Sequence, residues 1–269
     1  QEIIVNATDG NDAVIGGPYA TYNAARLYAA SIASPTYIVL LNIIGDQSIV
    51  GNFIINPYIT INGNLSGIIT ATGNIVVDAS YLLLNSVKTY LYNCRFVALG
   101  ITGVWGAGEQ NVVIFVNCDT TGVPIFSNTC PNTNAFGNAI FFSGTPNLID
   151  QSFSTSLTVT DALAGFVGMS IGASPSVVST GTPGSFLRFI QSGGYGQITI
   201  DATGASGQAI CFLSNCSPSG VNINSTNASL ITDVISLDND ALNFAGGALM
   251  SQVQFETDLS PMKVSTSLY

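Results

Sequence analysis

Histidine is absent from the chain, which removes most of the side-chain machinery of nucleophilic catalysis. A serine or cysteine that depends on an imidazole base has none here. The chemistry left to the sequence is carboxylate work. Cleaving a glycosidic bond takes two carboxyl groups held roughly 5–9 Å apart, one donating a proton and the other attacking or activating water. Three aspartates are candidates for catalytic roles: Asp119, just after the strand end IFVNC; Asp150; and Asp161, which closes LTVTD. Stacked repeats would bring them close on an outer face. Strand-end aspartates more commonly serve turns, and that role suits the same three positions.

Metal and cofactor chemistry finds little support. Five cysteines (Cys94, Cys118, Cys130, Cys211 and Cys216) form no CxxC, and without histidine the familiar zinc-site patterns are missing. They read mainly as small buried apolar residues, with a Cys118–Cys130 or Cys211–Cys216 disulfide left open. The cluster Asp9-Gly10-Asn11-Asp12 lacks the oxygen spacing and distal Glu of an EF-hand loop and reads as an ordinary turn. The dinucleotide fingerprint and the phosphate loop are also missing. No cofactor and no metal are expected. Trp105, the only tryptophan, lies on the Gly-rich stretch 100–112. It either stacks on a sugar or a partner chain, or folds back as a plug over apolar surface.

Composition narrows the class further. Hydrophobic residues make up 47% of the 269 residues and charged ones 7%, against roughly 25% charged in ordinary soluble domains. The surface must therefore owe its polarity to Asn, Thr, Ser and Gly. No window reaches the ~18 uninterrupted apolar residues of a membrane-spanning helix. The net charge is −10, and the five basic residues (Arg26, Lys88, Arg95, Arg188 and Lys263) are scattered, so nucleic acid is not an expected partner. Sequons at Asn6, Asn64, Asn215, Asn224 and Asn227 arise easily in so Asn- and Ser-rich a chain. The start at Gln1, with no initiating Met or signal segment, is expected to be a processed or engineered end.

These residues must be carried on short strands. After a first strand, Glu2 to Asn6, the segment 18–34 has helical periodicity, with Ala20, Ala24, Leu27, Tyr28 and Ile32 on one face, Thr21 as N-cap and Pro35 as the stop. From Tyr37 onward, short apolar runs alternate with Gly and Asn: YIVLLNII, NFIIN, YITINGN, GIITATG, NIVVDAS. YLYNC (from Tyr90) and IFVNC (from Ile114) repeat one pattern; IFFSG (from Ile140) follows, and farther on QITID pairs with GVNIN and FLSNC with VISLD. Steps in the low twenties mean one supersecondary unit per repeat, stacked on its neighbours. The expected fold is an all-β solenoid of parallel strands whose raw first end is covered by the helix. Apolar side chains should face in and polar ones out. Asn93 and Asn117, one repeat apart, predict an asparagine ladder along the stack. The stretches 100–112, 127–138 and 172–186 read as loops or insertions. The domain plan is residues 1–36 for strand, turn and cap, 37–255 for stacked coils and 256–269 for a C-terminal cover, in one domain.

The order Asp9-Gly10-Asn11-Asp12, Gly16-Gly17-Pro18-Tyr19-Ala20-Thr21, Ala24-Ala25, Ala29-Ala30, Pro35-Thr36-Tyr37-Ile38-Val39-Leu40 and Pro57-Tyr58-Ile59-Thr60-Ile61-Asn62-Gly63 resembles the opening of pectin-lyase-like right-handed parallel β-helix proteins. The resemblance implies a right-handed, single-stranded parallel β-helix with an N-terminal capping α-helix, and by itself says little of activity. Within that group the chain is most similar in character to tailspike-like and surface β-helices of viruses. The family's lyases use clustered aspartates that hold Ca²⁺, with an Arg or Lys as base. Here the nearest acid–base pair is Arg188 and Asp201, on neighbouring strands at best.

Two functions follow as expectations. The first is a non-enzymatic structural or attachment protein, extracellular or on a virion surface. It would be a homotrimer packed along apolar flanks, with host or virion glycans touched through the loops near Trp105. The second is a polysaccharide lyase or glycoside hydrolase on the same scaffold, working through Asp119, Asp150 or Asp161.

Overall fold

A computed structural model describes residues 1–65, 67–78, 87–104, 111–129, 139–144, 151–179, 185–190, 198–202, 209–214, 221–225, 234–235, 242–246 and 264–266. Trp105, Asp150, Cys130, Cys216 and most of the 256–269 segment lie outside these residues.

The chain opens with β1 (Glu2–Asn6) and α1 (Tyr22–Ile32), then makes repeated circuits. The first circuit is β2 (Val39–Ile44), β3 (Gln47–Ile49) and β4 (Phe53–Ile55); the second is β5 (Ile59–Asn62), β6 (Ile69–Ala71) and β7 (Ile75–Asp78). The third is β8 (Val87–Tyr92), β9 (Arg95–Val97) and β10 (Gly100–Val104), and the fourth β11 (Asn111–Val116), β12 (Asp119–Gly122) and β13 (Ile125–Thr129). Later circuits hold two described strands each: β14 (Ala139–Ser143) with β15 (Ser156–Thr160), β16 (Leu163–Val167) with β17 (Pro175–Ser179), and β18 (Ser185–Ile190) with β19 (Ile198–Ala202). The last are β20 (Ala209–Ser214) with β21 (Val221–Ser225), β22 (Val234–Ile235) with β23 (Leu242–Gly246), and finally β24 (Val264–Thr266).

Opening strands of the circuits line up in one ten-stranded sheet that starts at β1, closing strands in a second ten-stranded sheet from β4 to β24, and middle strands β3, β6, β9 and β12 in a third. The pairings within all three sheets are parallel. The protein is thus all-β, built of parallel sheets visited in rotation, with one helix among the described residues. Parallel strands need a crossover between neighbours, and here the crossover is the rest of each circuit.

Alternating burial explains why so short a strand is stable. In β2 and β5 every second residue is buried, with Val39, Leu41, Ile43, Ile59 and Ile61 at 1% exposure or less. Each such side chain contributes roughly 1.5–3 kcal/mol on burial. Aromatic rings then run through the interior from one end. Tyr22 of α1 stacks on Phe53 at 4.2 Å, Phe53 meets Phe96 edge-on, and Phe96 meets Phe115. Phe115 stacks on Phe142 at 4.6 Å and Phe142 on Phe166 at 5.2 Å, with Phe126 and Phe153 packed against them.

The turn after the opening strand is set by backbone conformation. Asn93, Asn117, Gly144 and Gly168 occupy it in successive circuits, at φ of 52°, 51°, 69° and 67°. Gly and, with short polar side chains, Asn and Asp enter this left-handed region most readily.

Thr21 caps α1 as expected, its hydroxyl accepting from Ala24 N. The buried face, however, is Tyr22, Ala25 and Ala29, and Leu27 is 61% exposed. Of the expected face, Ala24, Tyr28 and Ile32 do pack against the core. Leu27 does not, because Tyr22 turns the helix so that its ring lies on Phe53 and its hydroxyl donates to Ile54 O at 2.7 Å. The outer edge of β1 is blocked as well: Tyr19 N donates to Ile4 O and Asn6 N to Tyr19 O. An open strand edge invites pairing with another chain, and this one is covered from within at its Ile4–Asn6 end.

Other expectations need correction. Ile114 lies opposite Phe141 rather than Ile140, because Gly144 must fall where Asn117 falls. Phe212 likewise lies opposite Ile235 rather than Val234. The stretch 100–112 begins and ends in strand, and 172–186 contains β17, whose Pro175 takes the first position, where a missing N–H is tolerated. Val264–Thr266 adds a parallel strand beside β23. No helix among the described residues is long and apolar enough to cross a membrane.

Candidate functional site

Asp119 begins β12 and is committed locally. Its Oδ1 accepts from Thr121 N at 3.1 Å and from Thr121 Oγ1 at 2.7 Å, while Oδ2 faces Arg95 Nε at 3.7 Å. Arg95 is the preceding circuit's residue at the same register. Asp161 sits at φ 50° in the turn from β15 to β16, its N–H donating to Val178 O. Asp119 therefore marks the passage from the first sheet to the third, and Asp161 the return from the second sheet to the first. The two aspartates occupy different corners of the circuit. Asp150 lies outside the described residues. Arg188 belongs to β18 of the first sheet and Asp201 to β19 of the second, so the acid–base pair is split between sheets.

The Asp9–Asp12 turn directs its oxygens to the protein. Asn6 Nδ2 donates to Asp9 Oδ2, Ala13 N donates to Asn11 Oδ1, and Asp12 receives both Thr21 N at 2.9 Å and Thr21 Oγ1 at 2.7 Å. Burial pushes the Asp12 carboxyl up, but the hydrogen bonds from Thr21 and the Ala20 backbone outweigh it and hold the group below its ordinary value. Gly10 is needed here because a side chain would run into the Tyr19 backbone at 2.2 Å. Among the described residues no three His, Cys, Asp or Glu side chains gather as a metal site.

Cys94 and Cys118 are buried free thiols at equivalent turns of successive circuits, so the Cys118–Cys130 bridge is not made. Burial, and then the neighbouring Cys118 thiol, push Cys94 well above the ordinary thiol value.

The asparagine ladder exists and is longer than expected. Asn117 Nδ2 donates to Asn93 Oδ1 at 2.7 Å, Asn93 Nδ2 to Asn62 Oδ1 at 3.3 Å, and Asn62 Nδ2 to Asn42 Oδ1 at 3.0 Å. Asn42 Nδ2 in turn donates to the Glu2 carboxylate. Stacked amides of this kind satisfy groups that would otherwise be half-buried without partners.

Outward positions of the first sheet are polar at Asn42 and Asn62, as expected, but not across β8, β11 and β14. There the outward column reads Tyr90, Ile114, Phe141, with Tyr92 and Val116 alongside, all partly exposed. Tyr90 and Tyr92 stack at 5.7 Å and 10° between planes. Sequence reasoning expected apolar flanks but could not locate this one, because alternation alone assigns a face to each residue and does not say what covers it.

No family model, no curated protein and no solved structure matches the chain.

Proposed function

We propose that this chain is a right-handed, single-stranded parallel β-helix with an N-terminal cap helix, similar to pectin-lyase-like and tailspike-like β-helix proteins. Its role in this reading is structural or attachment rather than enzymatic, on a virion or cell surface, as a homotrimer. The observation that carries the reading is the aromatic and aliphatic flank of β8, β11 and β14. A parallel sheet with Tyr90, Ile114, Phe141 and Val116 outward is an apolar surface that a second copy can cover. The Tyr90–Tyr92 pair also offers the flat ring faces on which sugars stack. The candidate acids fit the same reading, because Asp119 is engaged by Arg95 and Thr121, away from the Asp161 corner.

Light scattering on the full chain, beside an SDS-resistance gel, tests the assignment. A compact trimer is expected, with Ile114→Lys and Phe141→Ser shifting the mass to that of a monomer while the circular dichroism is retained. A wild-type monomer that releases reducing ends or unsaturated products from polysaccharides would overturn it.

A further inference from the structure

Between α1 and the turn leading into β5 lies a cleft of ≈ 430 Å³. Leu27, Ala30 and Ala33 form its helical wall, Pro57 and Tyr58 the wall opposite, and Arg26 and Asn56 its polar end. The volume falls in the range of small-molecule sites, roughly 300–1,000 Å³.

Arg26 gives the cleft its chemistry. Nη1 donates to Asn56 Oδ1 at 2.9 Å, while Nε is sealed from water with no acceptor. Among the described residues the one ion pair is Arg95–Asp119, so Arg26 has no carboxylate there to neutralise it. The buried Nε is out of a ligand's reach, but a guanidinium without a counter-charge can be paired by an anion that meets its outer Nη edge from the cleft. Beside it, Leu27 stands 61% exposed on the cleft wall.

We propose that this cleft binds a small organic monocarboxylate with an apolar body. The carboxylate meets the guanidinium edge left over by Asn56 through charge-assisted hydrogen bonds. The body lies on Leu27, Ala30, Ala33 and Pro57. One cation in a chain of net charge −10 suits a single negative charge and disfavours phosphates or polyanions. A neutral sugar would leave the guanidinium unpaired and gain little from the apolar walls.

The test is a ligand-observed NMR titration of the full chain with benzoate and with benzyl alcohol, its neutral counterpart. Two variants accompany wild type. Arg26→Gln removes the charge, and Ala30→Phe fills the cleft from an exposed helix position, with circular dichroism of each variant checked against wild type. Benzoate is expected to bind saturably, and benzyl alcohol at least about tenfold more weakly; each variant should weaken benzoate by a similar factor. Equal binding of the two probes would overturn the proposal. So would benzoate binding unmoved by Ala30→Phe, or no saturable binding up to about 10 mM.

Discussion

The Asn117 side-chain amide donates to the Asn93 side-chain oxygen across 2.7 Å, joining the turns of two successive circuits. Asn93 thus answers two demands at once. Its backbone stands in the left-handed region at φ 52°, and its side chain holds a hydrogen bond on each side.

Substitution separates those demands. Asn93→Gly keeps the backbone and loses the ladder, costing about 1–2 kcal/mol. Asn93→Ala loses both, costing about 2–3 kcal/mol. Denaturant midpoints measured in parallel check the order. Equal losses would mean that the backbone conformation contributes nothing.

Phe142 touches Phe115, Phe166, Phe126 and Phe153. Phe142→Ala should cost about 3–5 kcal/mol through the cavity it leaves, whereas Val50→Ser, at a residue 91% exposed, should stay within about 0.5 kcal/mol. Thermal unfolding of the two variants gives the comparison.

Cys94 and Cys118 should resist thiol reagents in the native protein and react once it is unfolded. Both are buried, and the reactive thiolate of Cys94 is disfavoured by that burial. Peptide mapping after alkylation, with and without denaturant, reads this directly. Rapid native labelling of Cys94 would contradict the packing.

Asp12 links the first turn to the start of α1 through Thr21, and its folded-state pKa is lowered. Its contribution to stability is therefore present above the unfolded carboxyl value, about 3.9, and disappears as pH falls through the folded value. Asp12→Ala should be less stable than wild type at pH 6, with the gap closing as the pH drops below about 4. Melting temperatures across that range test it, and a gap independent of pH would rule out the ionised carboxylate as its source.

Local chemistry was legible in the sequence where one residue decided the outcome. Thr21 could be read as the cap because its hydroxyl reaches its own helix, and Glu2–Asn6 as a strand because its apolar residues alternate. The pairing of YLYNC with IFVNC was legible because both turns carry Asn. The next step slipped by one residue because similarity favoured Ile140 opposite Ile114, while the left-handed turn required Gly144 opposite Asn117. The lower ladder was hidden by its uneven steps, 20 residues from Asn42 to Asn62 and 31 on to Asn93. The Arg26 cleft was hidden for a related reason: Asn56, its polar partner, is 30 residues away on another element.

The four asparagine amides all donate toward the beginning of the chain, and the last meets Glu2. The row therefore has a sense, like beads that thread only one way. Turning any single amide around would set oxygen against oxygen on one side and N–H against N–H on the other. A carboxylate can only accept, so Glu2 fixes which way the first amide points and, through it, every amide above. Orientation along the whole column is thereby dictated by the second residue of the chain.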